Sequence, residues 1–362
     1  MVTKAATWDY RDRFEDAEFA RTYFRRFGDG VVSSIGAGTY LGAPTDEVDE
    51  RYREALVAAL ESGVNVLDTA VNYRCQRSER VVGEALRAAD VERDAVLVAT
   101  KGGFVPFDGD RPDDPGAYVR EEFVDPGLVD PDDLVRGNCI APDFVEALLD
   151  RSLDNLGLDR IDCYYVHNPE TQLEQFDRET VYDRLEATFV RLEERAQDGD
   201  LDHYGVASWE CFRVPEDHPA YLSLPEVASR ARSAAKAAGS TGTHFRAVQL
   251  PFNVSMADAF TVESHPAVDG RQSALWFAAD AGLNVFTSAS VAQGDLAREM
   301  PDAVADVVAG ETRAQKAINF ARSAPGVTAA LVGMGSPAHV AEDVRAGTFA
   351  PLGANTFDQV FE

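Results

Sequence analysis

Short apolar runs alternate along this chain with longer stretches in which apolar residues recur every three or four positions. The short runs are rich in Val, Ile and aromatic residues, as buried strands are, while the longer stretches have the period of amphipathic helices. This pattern predicts eight strands. They span residues 31–36, 65–69, 95–101, 161–167, 203–208, 247–253, 284–289 and 329–334.

Helical stretches lie between most of these strands, and such alternation predicts parallel strands joined by crossover helices. Eight units in 362 residues favour a closed (β/α)8 TIM barrel over an open sheet, built by one domain that spans residues 1–362. The predicted helices are 47–62, 143–156, 178–197, 225–238, 270–281 and 313–322.

Three segments lie outside the regular alternation. Residues 1–30 form an N-terminal extension that ends in a predicted β-hairpin, with a turn at Gly28-Asp29-Gly30. Residues 102–141 and 209–244 are long connections after the third and fifth strands. Both follow the carboxyl ends of strands, where barrels of this kind build their active sites.

The composition excludes several classes of protein. A net charge of −28 repels phosphate backbones, which argues against a nucleic-acid partner. We find no apolar run long enough to span a membrane and no secretory signal. The four cysteines, Cys75, Cys139, Cys163 and Cys211, have no metal-binding spacing. We therefore expect a cytoplasmic protein with reduced thiols and no metal, as a monomer or small homo-oligomer.

The acidic surface has an unusual make-up, with 36 Asp and 26 Glu against 30 Arg and only 4 Lys. Carboxylates hold water and ions when strong salt screens charge repulsion. This bias predicts a halophilic protein.

Four polar residues stand at or just after the ends of neighbouring predicted strands. Asp68 and Tyr73 follow the second strand, Lys101 ends the third and His167 ends the fourth. A phenol has a pKa of about 10, and a nearby ammonium is expected to lower it by stabilising the phenolate. The ammonium needs a counter-ion, which Asp68 supplies, and an imidazole can orient a carbonyl oxygen.

Taken singly, Asp68, Tyr73 and His167 each have ordinary structural explanations, as a helix cap, a packed ring and a satisfied histidine. Lys101 is different, because it is one of four lysines and ends an apolar run. The other three, Lys4, Lys236 and Lys316, are predicted to be exposed.

Long segments of the chain also resemble the aldo-keto reductase family in sequence and order. The match includes G-V-N-V-L-D-T-A-V-N-Y-R-C-Q-R-S-E-R-V-V-G-E-A-L (63–86), V-A-T-K (98–101) and S-L-D-N-L-G-L-D-R-I-D-C-Y-Y-V-H (152–167). Further on it includes Y-G-V-A-S-W (204–209), V-Q-L-P-F-N (248–253) and L-V-G-M-G-S-P-A-H-V-A-E-D (331–343).

The resemblance implies a (β/α)8 barrel that binds NADP or NAD and transfers hydride to or from the carbonyl carbon of a small aldehyde, ketone or sugar. Tyr73 would be the general acid or base, tuned by Lys101 and Asp68, with His167 positioning the substrate oxygen. The cofactor-binding residues implied in the same way are Gly38, Thr39, Ser208, Gln249, Ser288, Gly333, Gly335, Ser336, His339, Glu342 and Asp343.

Two positions depart from the family pattern. Ser288 stands where many members carry a tyrosine that stacks on the nicotinamide, and His339 stands where an arginine often binds the 2′-phosphate of NADP. Because phosphate recognition depends on charge-assisted hydrogen bonds, the missing cation keeps NAD open beside NADP.

Two other functions compete with the reductase. One is a regulatory or redox-sensing barrel that binds NAD(P) without catalysis, and the other is an isomerase or aldolase that uses Lys101 as a Schiff base. The substrate is not readable from the loops, although their aromatic residues are candidates for a pocket lining. These are Phe104, Phe107, Tyr118, Phe123, Trp209 and Phe212.

Overall fold

Eight parallel strands close into a barrel in a computed structural model that describes residues 2–361. The predicted (β/α)8 fold is confirmed. The barrel strands, in ring order, are β3 (Ile35–Gly38), β4 (Val66–Asp68), β5 (Leu97–Gly102), β6 (Ile161–His167), β7 (Leu201–Ala207), β8 (Phe245–Pro251), β11 (Asn284–Ser288) and β12 (Val327–Gly333). The ring closes where β12 pairs with β3.

Two antiparallel hairpins lie outside the barrel, β1 (Phe24–Phe27) with β2 (Gly30–Ser33) and β9 (His265–Ala267) with β10 (Gly270–Gln272). The longer helices bury their apolar faces against the strands. The helices are α1 (Lys4–Asp12), α2 (Asp46–Glu61), α3 (Arg77–Ala88), α4 (Pro115–Val119), α5 (Pro142–Leu156), α6 (Arg178–Asp198), α7 (Leu224–Ala237), α8 (Asp258–Thr261), α9 (Ala274–Asp280), α10 (Asp295–Arg298), α11 (Asp302–Ala305), α12 (Arg313–Ser323), α13 (Pro337–Arg345) and α14 (Ala354–Asp358).

The N-terminal hairpin closes the amino-terminal end of the barrel. Phe27 and Val32 pack into the cluster of side chains inside the barrel, which includes Val66, Leu97 and Tyr165. This end is therefore filled with apolar side chains, and the carboxyl ends of the strands are left to form a site.

Several predicted boundaries are wrong. The predicted strand 31–36 is two elements, because the hairpin strand β2 ends at Ser33 and barrel strand β3 begins at Ile35. The predicted helix 270–281 begins only at Ala274, since residues 270–272 pair with 265–267. The helix α1 was not predicted. Lys316 is half-buried rather than exposed, with its ammonium bonded to the Ala305 carbonyl, whereas Lys4 and Lys236 are exposed.

Both long connections contain structure of their own. Residues 102–141 hold α4 and a π-helical turn at 120–124, and their Phe123 and Val129 form a small apolar cluster with Phe144 of α5. Residues 209–244 hold α7. None of the helices between residues 2 and 361 is long and apolar enough to cross a membrane.

The strand register brings the candidate catalytic residues to one level of the barrel. Asp68 pairs with Ala99, two residues before Lys101, and Lys101 pairs with Tyr165, two residues before His167. Because the strands are parallel and in staggered register, their side chains converge on the carboxyl end of the barrel.

Candidate functional site

A buried ion pair lies at the centre of the candidate site. The Lys101 ammonium donates to the Asp68 carboxylate and to the Thr69 carbonyl, both at 2.7 Å. The other Asp68 oxygen accepts a hydrogen bond of 2.7 Å from the Gln249 side chain on β8. Lys101 is fully buried and Asp68 nearly so, which makes this pair part of a satisfied polar network rather than a surface contact.

Tyr73 lies beside this pair. The Lys101 ammonium is 4.9 Å from the centre of the Tyr73 ring, and the edge of the ring is packed by Tyr40 at a centroid distance of 5.0 Å. The His167 imidazole is 6.1 Å from the Tyr73 ring, centroid to centroid. The four candidate residues therefore form one cluster, although they come from three different strands and one loop.

Burial governs the protonation of the phenol. Burial raises the pKa of Tyr73, the Lys101 charge lowers it and Asp68 raises it, with a net pKa above the usual 10.0. The Lys101 ammonium lowers the pKa of Tyr73, as expected, but the effect of burial is larger and leaves the pKa raised. Burial also lowers the pKa of Lys101, but Asp68 and Tyr73 reverse that effect and raise it, so the amine stays charged.

The His167 imidazole is neutral and free to bind. Burial, assisted by the Lys101 charge, lowers its pKa to about 3. Its Nδ1 atom is buried and has no hydrogen-bond partner among the described residues. Asn138 from the long third connection holds the His167 carbonyl at 2.9 Å, and Phe104 packs against the ring at 5.1 Å.

Gly103 permits the close packing at this point. Its backbone has a φ of +142°, and a Cβ atom there would lie 2.9 Å from the His167 carbonyl oxygen. Any other residue would push the start of the third connection away from His167.

A cavity of about 660 Å³ opens over this cluster and is called the main cavity below. It runs from Tyr73 and His167 across the barrel to α13. Twelve of the fifteen residues predicted from the sequence to form the site line it. They are Gly38, Thr39, Asp68, Tyr73, His167, Ser208, Gln249, Ser288, Gly333, His339, Glu342 and Asp343.

The other three predicted residues do not line the main cavity. Lys101 lies beneath it, behind Asp68. Gly335 and Ser336 lie at the start of α13, where the Ser336 hydroxyl caps the helix by accepting from the His339 amide at 3.3 Å.

Ser208 is held by a carboxylate that the sequence analysis missed. The Ser208 hydroxyl donates to Glu170 at 3.1 Å, and the same Glu170 oxygen accepts from the Trp209 and Glu210 amides at 2.7 and 2.9 Å. Burial raises the pKa of Glu170 despite these hydrogen bonds. Its position just after His167, in H-N-P-E, was the available signal.

The loop after β11 also lines the main cavity and was predicted only at Ser288. Ala289, Ala292 and Gln293 all have positive φ values, between 47° and 54°. Such backbone is strained for residues other than glycine and concentrates at functional sites. The sequence carried no signal for it, because alanine and glutamine do not mark a left-handed backbone.

Two of the six loop aromatics line cavities. Phe104 and Trp209 border the main cavity and a neighbouring one of about 520 Å³, called the side cavity. The other four aromatic residues line neither cavity, so they are not pocket residues there. Phe107, Tyr118 and Phe123 pack against one another, and Phe212 is buried.

A Schiff-base function for Lys101 does not fit this geometry. The ammonium is fully buried, charged and engaged by two hydrogen bonds, so no neutral amine faces the main cavity. In residues 2–361 no cluster of three or more His, Cys, Asp or Glu side chains has the arrangement of a metal site.

Comparison with known proteins finds relatives in sequence. Residues 34–216, just over half of the chain, match the model of the Aldo/keto reductase family. The chain is 38% identical over 116 residues to a 2,5-diketo-D-gluconic acid reductase B from a Corynebacterium species, covering 32% of this chain and 28% of the relative. It is 31% identical over 162 residues to a D-threo-aldose 1-dehydrogenase from a Pseudomonas species, covering 44% of each. The match thus spans less than half the length of these relatives.

Solved structures resemble nearly the whole chain in fold. An aldo/keto reductase from Klebsiella pneumoniae, solved with NADP and acetate, has a TM-score of 0.60 at 20% identity, covering 93% of this chain and 94% of that one. A glycerol dehydrogenase from Gluconobacter oxydans has a TM-score of 0.64 at 18% identity, covering 94% and 95%.

Proposed function

This chain belongs to the aldo/keto reductase family, and we propose that it is an NAD(P)-dependent oxidoreductase that reduces an aldehyde or ketone, or oxidises the corresponding alcohol or sugar. The observation that carries the proposal is the buried Lys101–Asp68 pair beneath Tyr73, with an unpartnered neutral His167 at the same cavity. A barrel without catalysis has no use for a buried ammonium, whose desolvation costs free energy.

The main cavity fits an extended dinucleotide. The cavity extends from Tyr73 to α13. Asn72 on its wall has a buried Oδ1 atom without a hydrogen-bond partner among residues 2–361, which is a feature of a cavity that binds a polar ligand. When bound, the nicotinamide supplies or accepts the hydride at the substrate carbon. The residues proposed to hold the cofactor are Gly38, Thr39, Ser208, Gln249, Ser288, Gly333, Gly335, Ser336, His339, Glu342 and Asp343.

Tyr73 is the proposed general acid in reduction. Its raised pKa keeps the phenol protonated at neutral pH, ready to donate to the carbonyl oxygen. The negative charge left on the phenolate is then stabilised by the Lys101 ammonium 4.9 Å from the ring. In the oxidation direction the same phenolate accepts the alcohol proton.

Asp68 and Gln249 hold the ammonium in place. Without Asp68 the buried charge would have no counter-ion, and the hydrogen bond from Gln249 fixes the carboxylate orientation. Asp68 acts on the substrate only through Lys101 and Tyr73, so it is a positioning residue. Gln249 orients Asp68 in addition to its proposed contact with the cofactor.

His167 is proposed to orient the substrate oxygen. Because its pKa is about 3, the ring is a neutral hydrogen-bonding group at working pH and does not compete with Tyr73 as the acid. His167 lines the main cavity, and its imidazole has no hydrogen-bond partner among residues 2–361, which supports a contact with the substrate.

The side cavity is proposed to take the remainder of the substrate. It shares Phe104, Asn168 and Trp209 with the main cavity, and its wall adds Glu174 and Arg136. Aromatic faces beside charged hydrogen-bonding groups suit a small substrate with both apolar and hydroxyl-bearing parts.

The test is a panel of aldehydes, ketones and aldoses with NADH and NADPH, followed by absorbance at 340 nm. Tyr73→Phe is expected to lose about 10²- to 10⁴-fold in turnover while it still binds cofactor. Tyr118→Phe, which removes a phenol from the third connection away from both cavities, is the matched control. Normal turnover by Tyr73→Phe, or no binding of either cofactor by the wild type, would overturn the proposal.

We further propose that the protein is halophilic and cytoplasmic, and that it is a single-domain chain acting as a monomer or small homo-oligomer. The net charge of −28 and the scarcity of lysine support adaptation to strong salt, and four free thiols support a reducing compartment. Calorimetry is expected to give one transition whose midpoint rises between about 0.2 M and about 3 M KCl. Light scattering should give a mass of 39.4 kDa or a small multiple of it, and a large assembly contradicts the proposal.

A further inference from the structure

The chain turns sharply just after Tyr73, between β4 and α3. Arg74, Cys75 and Gln76 have φ values of 48°, 56° and 68°, so three consecutive residues other than glycine have left-handed backbone. They are called the left-handed turn below. Such backbone crowds the Cβ atom and costs free energy at each position. It persists only where the surrounding structure holds it in place, and here it directly follows the phenol of the candidate site.

The Arg74 side chain provides the contacts on one side of the left-handed turn. Its Nε donates to the Ala43 carbonyl at 3.1 Å, and its Nη2 donates to the Thr45 carbonyl at 3.5 Å and to the Asp49 carboxylate. The guanidinium also lies over the Tyr52 ring, 5.2 Å from the ring centre. Arg74 is buried, and a planar guanidinium can make these contacts at the same time, which a single ammonium cannot.

These contacts join the left-handed turn to the loop that follows β3. That loop, residues 39–45, carries Tyr40, which lines the main cavity. The Tyr40 and Tyr73 rings meet edge to face, with 5.0 Å between their centroids and 66° between their planes. Arg74 therefore holds both the backbone that follows Tyr73 and the loop whose aromatic ring packs against Tyr73.

The other two residues of the left-handed turn are held differently. The Gln76 side chain donates to the Phe107 carbonyl and accepts from the Asn155 side chain, both at 3.1 Å. The Cys75 carbonyl accepts from the Gly109 amide at 3.0 Å, but the Cys75 side chain makes no hydrogen bond within residues 2–361. Cys75 thus has the same backbone conformation as Arg74 without its side-chain contacts.

We propose that Arg74 is a positioning residue that holds the Tyr73 phenol in place for proton transfer; the inference rests on the proposed reductase function. Arg74 lines neither the main cavity nor the side cavity, so it acts on the substrate only through Tyr73. Proton transfer needs the phenol within hydrogen-bond reach of the carbonyl oxygen, and a displacement of about 1 Å can slow a reaction about 10²-fold.

The first experiment is single-turnover reduction by Arg74→Gly with cofactor bound. Glycine accepts a φ of 48° without strain, so this change removes the contacts and relieves the backbone at once. The rate is expected to fall at least tenfold. Cys75→Gly is the matched control, because it relieves the same strain and leaves the Arg74 contacts intact; its rate should stay within threefold of the wild type. An Arg74→Gly rate within threefold of the wild type, or equal slowing of both variants, overturns the inference.

The pH dependence of reduction separates placement of Tyr73 from a loss of folded protein. Burial is the largest cause of the raised pKa of Tyr73, and a ring released from its packing against Tyr40 meets more water. Because reduction needs the protonated phenol, the alkaline fall of kcat/KM should begin at a lower pH in Arg74→Gly than in the wild type. A slower variant with an unchanged pH profile assigns Arg74 a merely structural role and contradicts the inference.

Arg74→Lys tests the same inference if Arg74→Gly does not fold. Lysine keeps a positive charge beside Asp49 but cannot also reach both loop carbonyls. Its single-turnover rate is expected to be at least threefold below the wild type, and a wild-type rate counts against Arg74. Tyr73→Phe distinguishes the two proposals. If it turns over normally, the reductase proposal fails and this inference with it; if it is slow while the Arg74 variants keep their rate, only this inference fails.

Discussion

Replacing Lys101 with methionine removes the ammonium and keeps a side chain of similar length. The Lys101 ammonium lies 4.9 Å from the centre of the Tyr73 ring, over which a phenolate charge is spread. At an effective dielectric constant of about 20, two unit charges at that distance interact by roughly 3 kcal/mol. Each 1.4 kcal/mol is about a tenfold change in rate, so Lys101→Met is expected to slow reduction on the order of a hundredfold.

The same change also destabilises the fold. Breaking a buried ion pair by removing one partner costs roughly 3–5 kcal/mol, because the other charge is left buried. Asp68 keeps its hydrogen bond from Gln249, so we expect a loss toward the lower end, about 3 kcal/mol.

Single-turnover measurement of reduction separates these two effects, because the rate is taken per molecule that is folded and has cofactor bound. Urea denaturation followed by circular dichroism gives the free energy of unfolding. The control is Lys236→Met, which removes an exposed lysine on α7 and is expected to change neither quantity. A folded Lys101→Met variant whose single-turnover rate is within threefold of the wild type would refute the role of the ammonium.

Three further outcomes follow from the geometry and charges of the site. Because the pKa of His167 is about 3, kcat/KM for reduction should not fall as the pH is lowered through 6. A fall near pH 6 that is absent in His167→Gln contradicts the neutral imidazole. Trp209→Ala opens the wall shared by the two cavities. KM for the larger substrates of the panel should therefore rise about tenfold, while the dissociation constant of the cofactor stays unchanged. An unaltered KM argues against the side cavity as a substrate site. The pKa of Asp343 is about 7 when folded against an ordinary 3.8, so the native state binds the proton more tightly and its stability falls as pH rises from about 4 to about 7. Relative to the wild type, Asp343→Asn should therefore gain stability at pH 8 and not at pH 4 in thermal melts, and an equal gain at both pH values contradicts the assigned shift.

Much of the architecture could be predicted from local sequence. The strands carry a period-two or continuous apolar pattern, and seven of the eight predicted strands coincide with barrel strands to within a few residues. The predicted strand 31–36 is the exception. Its single apolar run covers the end of hairpin strand β2 and the start of barrel strand β3. Strand β10 falls inside the predicted helix 270–281, because its three residues show no alternation that would distinguish a strand from a helix.

The sequence by itself determined that an acid, a phenol, an amine and an imidazole would meet at one end of a barrel. Parallel strands bring the residues at their carboxyl ends to the same level, so the strand positions place Asp68, Lys101 and His167 together, with Tyr73 on the loop that follows Asp68. The scarcity of lysine made Lys101 conspicuous before any contact was known.

Only the tertiary structure decided how these groups are protonated and which partners they have. Burial is a property of the whole fold, and it raises the pKa of Tyr73 and lowers that of His167 more strongly than their neighbours in sequence would suggest. Hydrogen bonds such as Gln249 to Asp68 and Ser208 to Glu170 join residues 181 and 38 positions apart. No local pattern encodes such pairings, because they depend on where the closed barrel brings distant strand ends into contact.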